Sequence, residues 1–140
     1  MGFIALTDYQ PLDEGVHNFK VVAVDFKEEF MKLSITLRTK FGAETYLNFN
    51  FVGKDGKPNE VANRIFSFFA RTVLHDKEAK QVDPETLIGR YVQATASKRT
   101  YTNADGEEKY AFDLKNFKEI NGYEDAVDAP SVDLASLIGG

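Results

Sequence analysis

Residues 44–75 read ETYLNFNFVGKDGKPNEVANRIFSFFARTVLH, and the repeat changes partway along them. From Glu44 to Val52 the period is two. Leu47, Phe49 and Phe51 share one face, while Tyr46, Asn48 and Asn50 share the other. That alternation describes a strand with one buried side. Gly53-Lys54-Asp55-Gly56-Lys57-Pro58 reads as a loop, and Asn59 is a helix N-cap by type and position. Beyond it, Val61, Ile65, Phe69 and Val73 recur every four residues, and Ala62, Phe66 and Phe68 widen the stripe. Glu60, Asn63, Arg64, Ser67 and Arg71 fall mostly outside it. The spacing predicts one amphipathic helix of about four turns, ending near His75.

Strand signals dominate on both sides of this switch. Val16 to Phe26 reads as a first strand, entered through the turn Pro11-Leu12-Asp13-Glu14-Gly15. Phe30 to Lys40 is a second, with Met31, Leu33, Ile35 and Leu37 on one face and Lys32, Ser34, Thr36 and Arg38 on the other. After the helix, Asp83-Pro84-Glu85-Thr86-Leu87-Ile88-Gly89 looks like a single capped turn, with Pro at its first position and Gly closing it. Arg90 to Thr100 reads as a fourth strand. Asn103-Ala104-Asp105-Gly106 is a hairpin turn whose Asp-Gly pair tolerates positive φ. Lys109 to Lys118 is a fifth strand.

Three strands, a helix, then a hairpin is the element order of an OB-fold. The expected fold class is therefore mainly β: a five-stranded antiparallel barrel with one helix between strands 3 and 4, plugging one end. Other all-β arrangements usually lack a central helix of this length. The expected division is an OB-fold domain over residues 1–118 and a flexible acidic C-terminal tail over residues 119–140.

The charge distribution supports that division. The chain has 140 residues, 22 acids and 17 bases, for a net charge of −5. Residues 119–140 hold five acids (Glu119, Glu124, Asp125, Asp128, Asp133) and no Lys or Arg, so the body before them is neutral. A block of one charge sign repels itself and stays solvated. Such a tail can recruit partners or compete with an anionic ligand. Its end, with Leu134, Leu137 and Ile138, is apolar enough to dock on something. A neutral body argues against a double-strand DNA binder, which would normally be basic.

Several chemistries are not signalled. There is no cysteine, which removes disulfides and thiolate metal sites and is compatible with a reducing compartment. No apolar run approaches the ~20 residues of a membrane span, and the N-terminus lacks a secretory pattern, so a cytoplasmic protein without membrane contact is expected. His17 and His75 lie far apart. A helix dipole explains the second, and neither suggests a metal site. No phosphate loop or nucleophile elbow is present. Glu28-Glu29 and Glu107-Glu108 are adjacent pairs at strand connections, where neighbours point apart and solubilise rather than form an acid/base couple. The expectation is a non-enzyme with no catalytic residue, cofactor or metal. A small hydrolase would lack any nucleophile or metal constellation.

Binding signals are better. Lys32, Arg38, Tyr46, Asn48 and Asn50 occupy the non-core faces of the second and third strands, the sheet face that receives oligonucleotides in an OB-fold. Lys32 or Arg38 alone would read as ordinary solvent-facing charge. With a Tyr for stacking and two Asn offering donors and acceptors, the set suits single-stranded bases. A second set is Lys98, Arg99 and Tyr101, across the hairpin turn from Lys109 and Tyr110. Cations would meet phosphates there and rings would meet bases. The competing reading is a twisted hairpin whose tyrosines pair across strands and whose charges protect an edge.

Leu12-Asp13-Glu14-Gly15 leading into an alternating strand, Met31-Lys32-Leu33-Ser34-Ile35-Thr36-Leu37, the Phe-rich helix, Leu87-Ile88-Gly89-Arg90-Tyr91-Val92 and the Lys/Arg/Tyr hairpin together resemble the small single-stranded-DNA-binding proteins of bacteriophages and prophages. The resemblance covers residues 12 to about 118. It implies an OB-fold that coats single strands in DNA replication or recombination inside the bacterial host cell. It also implies an acidic tail that recruits replication or recombination proteins through residues such as Glu124, Asp125, Asp128, Asp133, Leu134, Leu137 and Ile138. The tail departs from the usual bacterial pattern, in which an acidic run closes with Pro-Phe; this one closes Leu137-Ile138-Gly139-Gly140. A possible homodimer through a sheet edge is also expected for such a fold. The alternative reading is an OB-fold protein–protein adaptor, or a virion-associated module, without nucleic-acid binding.

Overall fold

The computed structural model of the chain describes residues 2–4 and 12–127. Five strands and one helix form in the expected order: β1 (Gly15–Lys27), β2 (Lys32–Arg38), β3 (Glu44–Asn50), α1 (Glu60–Leu74), β4 (Tyr91–Thr102) and β5 (Glu108–Glu119). The strands make one antiparallel sheet in the order β3-β2-β1-β4-β5. No ladder joins β3 to β5, so the sheet is open and the expected closed barrel does not form.

β1 organises the sheet by changing partners along its length. Residues Gly15 to Lys20 pair with β4, and Lys20 to Lys27 pair with β2. The changeover coincides with a register shift between Val21 and Ala23, and β4 has a second shift between Gln93 and Thr95. Bulges of this kind bend a strand and increase its twist. They curl the sheet around the C-terminal half of α1 without bringing β3 to β5. The core fills that curl, with Phe19, Val21, Leu33, Ile35, Leu37, Phe49, Phe69, Val73, Leu87, Val92, Ala94 and Phe117 packed as one cluster. Phe69 meets Phe117 edge-on at 5.0 Å, and Phe66 meets Phe49 and Phe51 at 5.3 Å each.

α1 is capped as its sequence predicts. Asn59 accepts from the Ala62 N–H, and His75 closes the helix in the left-handed region. The stripe, however, is only half buried. Phe69 and Val73 are in the core, but Val61 and Ile65 are 58% and 45% exposed. The reason is the open seam: the first turns of the helix face the gap between β3 and β5, where closure would have covered them.

The second strand is shorter than its alternation suggests. Glu28–Phe30 forms a single 3-10 turn, and Met31 closes it with φ 50° while its N–H bonds the Glu28 carbonyl. Met31 therefore leaves the core face that its spacing assigned to it.

The body also extends past Lys118. Ile120 is buried, and His75 Nε2 lies 3.0 Å from its carbonyl oxygen. Residues 121–127 then cross the outer face of β1 and β4 as a strap. Asn18 Nδ2 donates to the carbonyls of Tyr123 (3.1 Å) and Asp125 (2.7 Å). Gln93 Nε2 donates to Asn18 Oδ1 and to the Ala126 carbonyl, both at 2.9 Å. The Tyr123 hydroxyl donates to the Arg38 carbonyl (3.0 Å), and its ring packs edge-on against Tyr91 at 5.1 Å. Lys40 forms an ion pair with Glu124, and Asp125 Oδ2 accepts from the Asn121 N–H. Of the acidic residues read as a detached tail, Glu124 and Asp125 are thus engaged with the body. Asp128, Asp133, Leu134, Leu137 and Ile138 lie outside the described residues.

Two outcomes follow for stability. Asn18→Ala removes the donor to two strap carbonyls and the acceptor of Gln93, groups that sit away from water. Leaving them unsatisfied costs about 1–3 kcal/mol, read as a lower urea midpoint; unchanged stability would mean that the strap contributes nothing. Burial raises the Tyr123 phenol above its ordinary value, with Tyr91 adding to the shift and Arg38 opposing it. The fold therefore holds this proton more tightly than the unfolded chain does. Its contribution is whole below about pH 10 and is lost as pH rises from there through the raised value. Tyr123→Phe should flatten that alkaline limb in urea titrations.

Candidate nucleic-acid interface

The register across β1, β2 and β3 settles which side chains share the outer face. Lys27 pairs with Lys32, which pairs with Asn50; Asp25 pairs with Ser34, then Asn48; Ala23 with Thr36, then Tyr46; and Lys20 with Arg38, then Glu44. The alternation read from the sequence is thus correct for all five predicted residues on these strands. The Ser34 hydroxyl donates to Asn48 Oδ1 at 2.8 Å, which leaves the Asn48 amide NH₂ for an outside acceptor. Lys27, Lys32, Ser34, Asn48 and Asn50 line a concavity of about 400 Å³ together with Asp25. Lys27 was not among the predicted residues. Its place as the last outward residue of the first strand was the available signal.

Arg38 sits at the opposite end of this face. Its Nε donates to Glu44 Oε2 at 2.7 Å, and its Nη2 also meets that carboxylate. Its charge is therefore balanced in place.

The hairpin of β4 and β5 projects beyond the core as a two-stranded arm. Cross-strand pairing puts Lys98 opposite Phe112 and Thr100 opposite Tyr110 on one face, with Arg99 opposite Ala111 and Tyr101 opposite Lys109 on the other. The cluster predicted there is consequently split by the period of two. Lys98 and Tyr110 stay together: the ammonium lies 4.3 Å from the ring centroid. A cation over an exposed ring contributes about 0.5–1 kcal/mol and fixes the ring's orientation. Tyr101 and Lys109 face away from them. Lys109 lies 3.6 Å from Glu107, and Arg99 Nε lies 3.0 Å from Asp113 Oδ2. Lys32 and Lys98 have no ion pair among the described residues.

The two predicted sets meet across the open seam. A cleft of about 720 Å³ runs between β3 and β5, floored by the first turns of α1. Tyr46 and Asn48 line one wall, Arg99, Tyr110 and Phe112 the other, and Val61 and Ile65 the floor. Asn48 borders both this cleft and the Lys32 concavity, so the two hollows adjoin across β3. Of the ten predicted residues, Tyr46, Asn48, Arg99 and Tyr110 line the cleft, and Lys32, Asn48 and Asn50 line its neighbour. Arg38, Lys98, Tyr101 and Lys109 are not lining residues of either hollow, and Lys98 comes near the cleft only through its contact with the Tyr110 ring. Val61 and Ile65 were missed because a helical stripe reads as core; Phe112, two residues from Tyr110 on the same face, was within reach of the alternation.

A further pocket of about 350 Å³ lies between α1, the end of β1 and residues 79–84, lined by Phe26, Met31, Phe51, Phe66 and Val82. Arg71, on its rim, donates from Nε to the Ala79 carbonyl at 3.0 Å. Lys80 lines this hollow as well, but none of the residues predicted to bind nucleic acid does.

His17 and His75 are both engaged locally. His17 Nε2 lies 2.8 Å from the Asp13 carbonyl oxygen, and His75 meets Ile120 as described. No helix among the described residues is long and apolar enough to cross a membrane. No family model matches this chain, and no curated protein matches it.

Proposed function

We propose that this chain is a non-enzymatic single-stranded-DNA-binding protein whose fold is of OB type, opened along one seam. The strand order supports the fold: read as a circle, β3-β2-β1-β4-β5 is the neighbour order of an OB barrel cut between β3 and β5. In that fold the β2–β3 face and the adjoining loops receive oligonucleotides. The observation that carries the function is the convergence of Tyr46 and Asn48 with Arg99 and Tyr110 on one cleft, continuous with the concavity of Lys27, Lys32 and Asn50.

In this reading bases stack on Tyr46 and Tyr110. The Asn48 amide donates to base acceptors without demanding one sequence. Lys32 and Lys98 meet phosphates, and Arg99 joins them once Asp113 releases it. The setting of phage-type replication or recombination, in the host cytoplasm, rests on the sequence resemblance. Recruitment of replication or recombination proteins is assigned to residues beyond the strap. The proposed act is binding alone. A second reading, a protein–protein adaptor, draws on the exposed Val61, Ile65 and Phe68 of α1.

Fluorescence anisotropy with labelled oligo-dT and with a duplex of equal length separates these readings. The single strand should bind with a shallow salt dependence. Two to four phosphate contacts give a slope of about −1.4 to −2.8 in log K against log salt. The duplex should bind much more weakly. Tyr46→Ala and Tyr110→Ala should each weaken binding roughly 5- to 150-fold, the equivalent of one lost stacking contact. Tyr101→Ala, facing away, should change little. No association with oligo-dT even in dilute buffer would end the nucleic-acid reading and leave the adaptor.

A further inference from the structure

β5 is an edge strand whose far side is open. Among the described residues, no backbone hydrogen bond outside the β4 ladder engages residues 108–115. An unpaired edge of this length is a template for another strand. Its charge order says which one. Along one face run Glu107, Lys109, Ala111, Asp113 and Lys115: negative, positive, neutral, negative, positive. Reversed about Ala111, this order becomes its own complement.

We propose that β5 pairs antiparallel with β5 of a second copy of this chain, with Ala111 facing Ala111 on the twofold axis. Each Lys109 then stands opposite the second copy's Asp113, and each Glu107 opposite its Lys115. On the other face each Tyr110 stands opposite the second copy's Phe112. These two rings already meet edge-on at 5.8 Å within one chain, and Tyr110 is 54% exposed. The small side chain at the centre lets the strands close. Such an interface is isologous and therefore stops at two copies. The other sheet edge has no such order. The outward row of β3 is Glu44, Tyr46, Asn48 and Asn50, with a single charge and so no charge order to complement.

The proposed pairing draws on Tyr110 and Phe112, which also line the cleft, so its test is run without DNA and is read apart from the nucleic-acid reading. Sedimentation equilibrium of the full chain across the micromolar range should give twice the 15.7 kDa of one chain. Lys109→Glu places acid against acid at two sites and should weaken the dimer roughly tenfold or more. The register is read by cross-linking, because the chain has no cysteine of its own. Directly opposed residues in an antiparallel pair have Cα atoms about 4.5–5.5 Å apart, within disulfide reach. Ala111→Cys should therefore give a disulfide-linked dimer under oxidation. Lys109→Cys displaces the two sulfurs by four residues of strand, about 13 Å, and should not. A monomer at all concentrations overturns the proposal. So does a dimer in which Lys109→Cys cross-links as well as Ala111→Cys, since another register or face would then hold the copies together.

Discussion

The structure depends on β1 serving two neighbours in succession. A strand has two edges, and a flat sheet would let β2 and β4 run its whole length on either side. Here β4 takes the first half and β2 the second, with the changeover at Lys20 and Val21. The Val21 N–H bonds the Arg90 carbonyl, and the Val21 carbonyl accepts from Gly89, so the connection into β4 is fastened at the same point. The stagger, with its bulge, curls the sheet into a trough. α1 fills only the deep end of that trough. The gap between β3 and β5, the exposed first turns of the helix and the cleft that joins the two sets of polar residues all follow from it.

The periodicities made the elements legible because each has one buried side. Leu33, Ile35 and Leu37 alternate with Ser34 and Thr36, and the burial pattern follows them. Asn59 and Asp83 were readable as caps because few side chains can accept a hydrogen bond from a helix start. Closure was not legible. It is set by how far two bulges bend a sheet, and no side-chain repeat encodes that angle. Val61 and Ile65 show the cost of this blindness: their spacing is that of core residues, yet the surface they should bury against is absent. Met31 shows a smaller version, where a 3-10 turn takes a residue out of an otherwise regular alternation.

The site was half legible for a related reason. Face assignment within β2 and β3 came directly from alternation. Within the hairpin, charge and ring content drew Lys98, Arg99, Tyr101, Lys109 and Tyr110 into one cluster, although neighbours in a strand point opposite ways. The fold then pairs three of the five cations predicted for the site, Arg38, Arg99 and Lys109, with carboxylates. Lys40 has a carboxylate partner as well. Surface pairs of this kind are worth little to stability, but they lower the field that an approaching polyanion meets. A cleft with rings on both walls and a mostly balanced charge favours flat, stackable groups over a rigid duplex backbone.

The strap beyond β5 was invisible to composition, which showed only its acids. Asn18 and Gln93 grip it through main-chain carbonyls, and Tyr123, Glu124 and Asp125 add side-chain contacts of their own. A deletion meant to remove only an anionic appendage has to cut after Val127. Severing the chain at Glu119 would instead strip the cover from two buried amide groups, and any altered behaviour would report injury to the body rather than loss of the appendage.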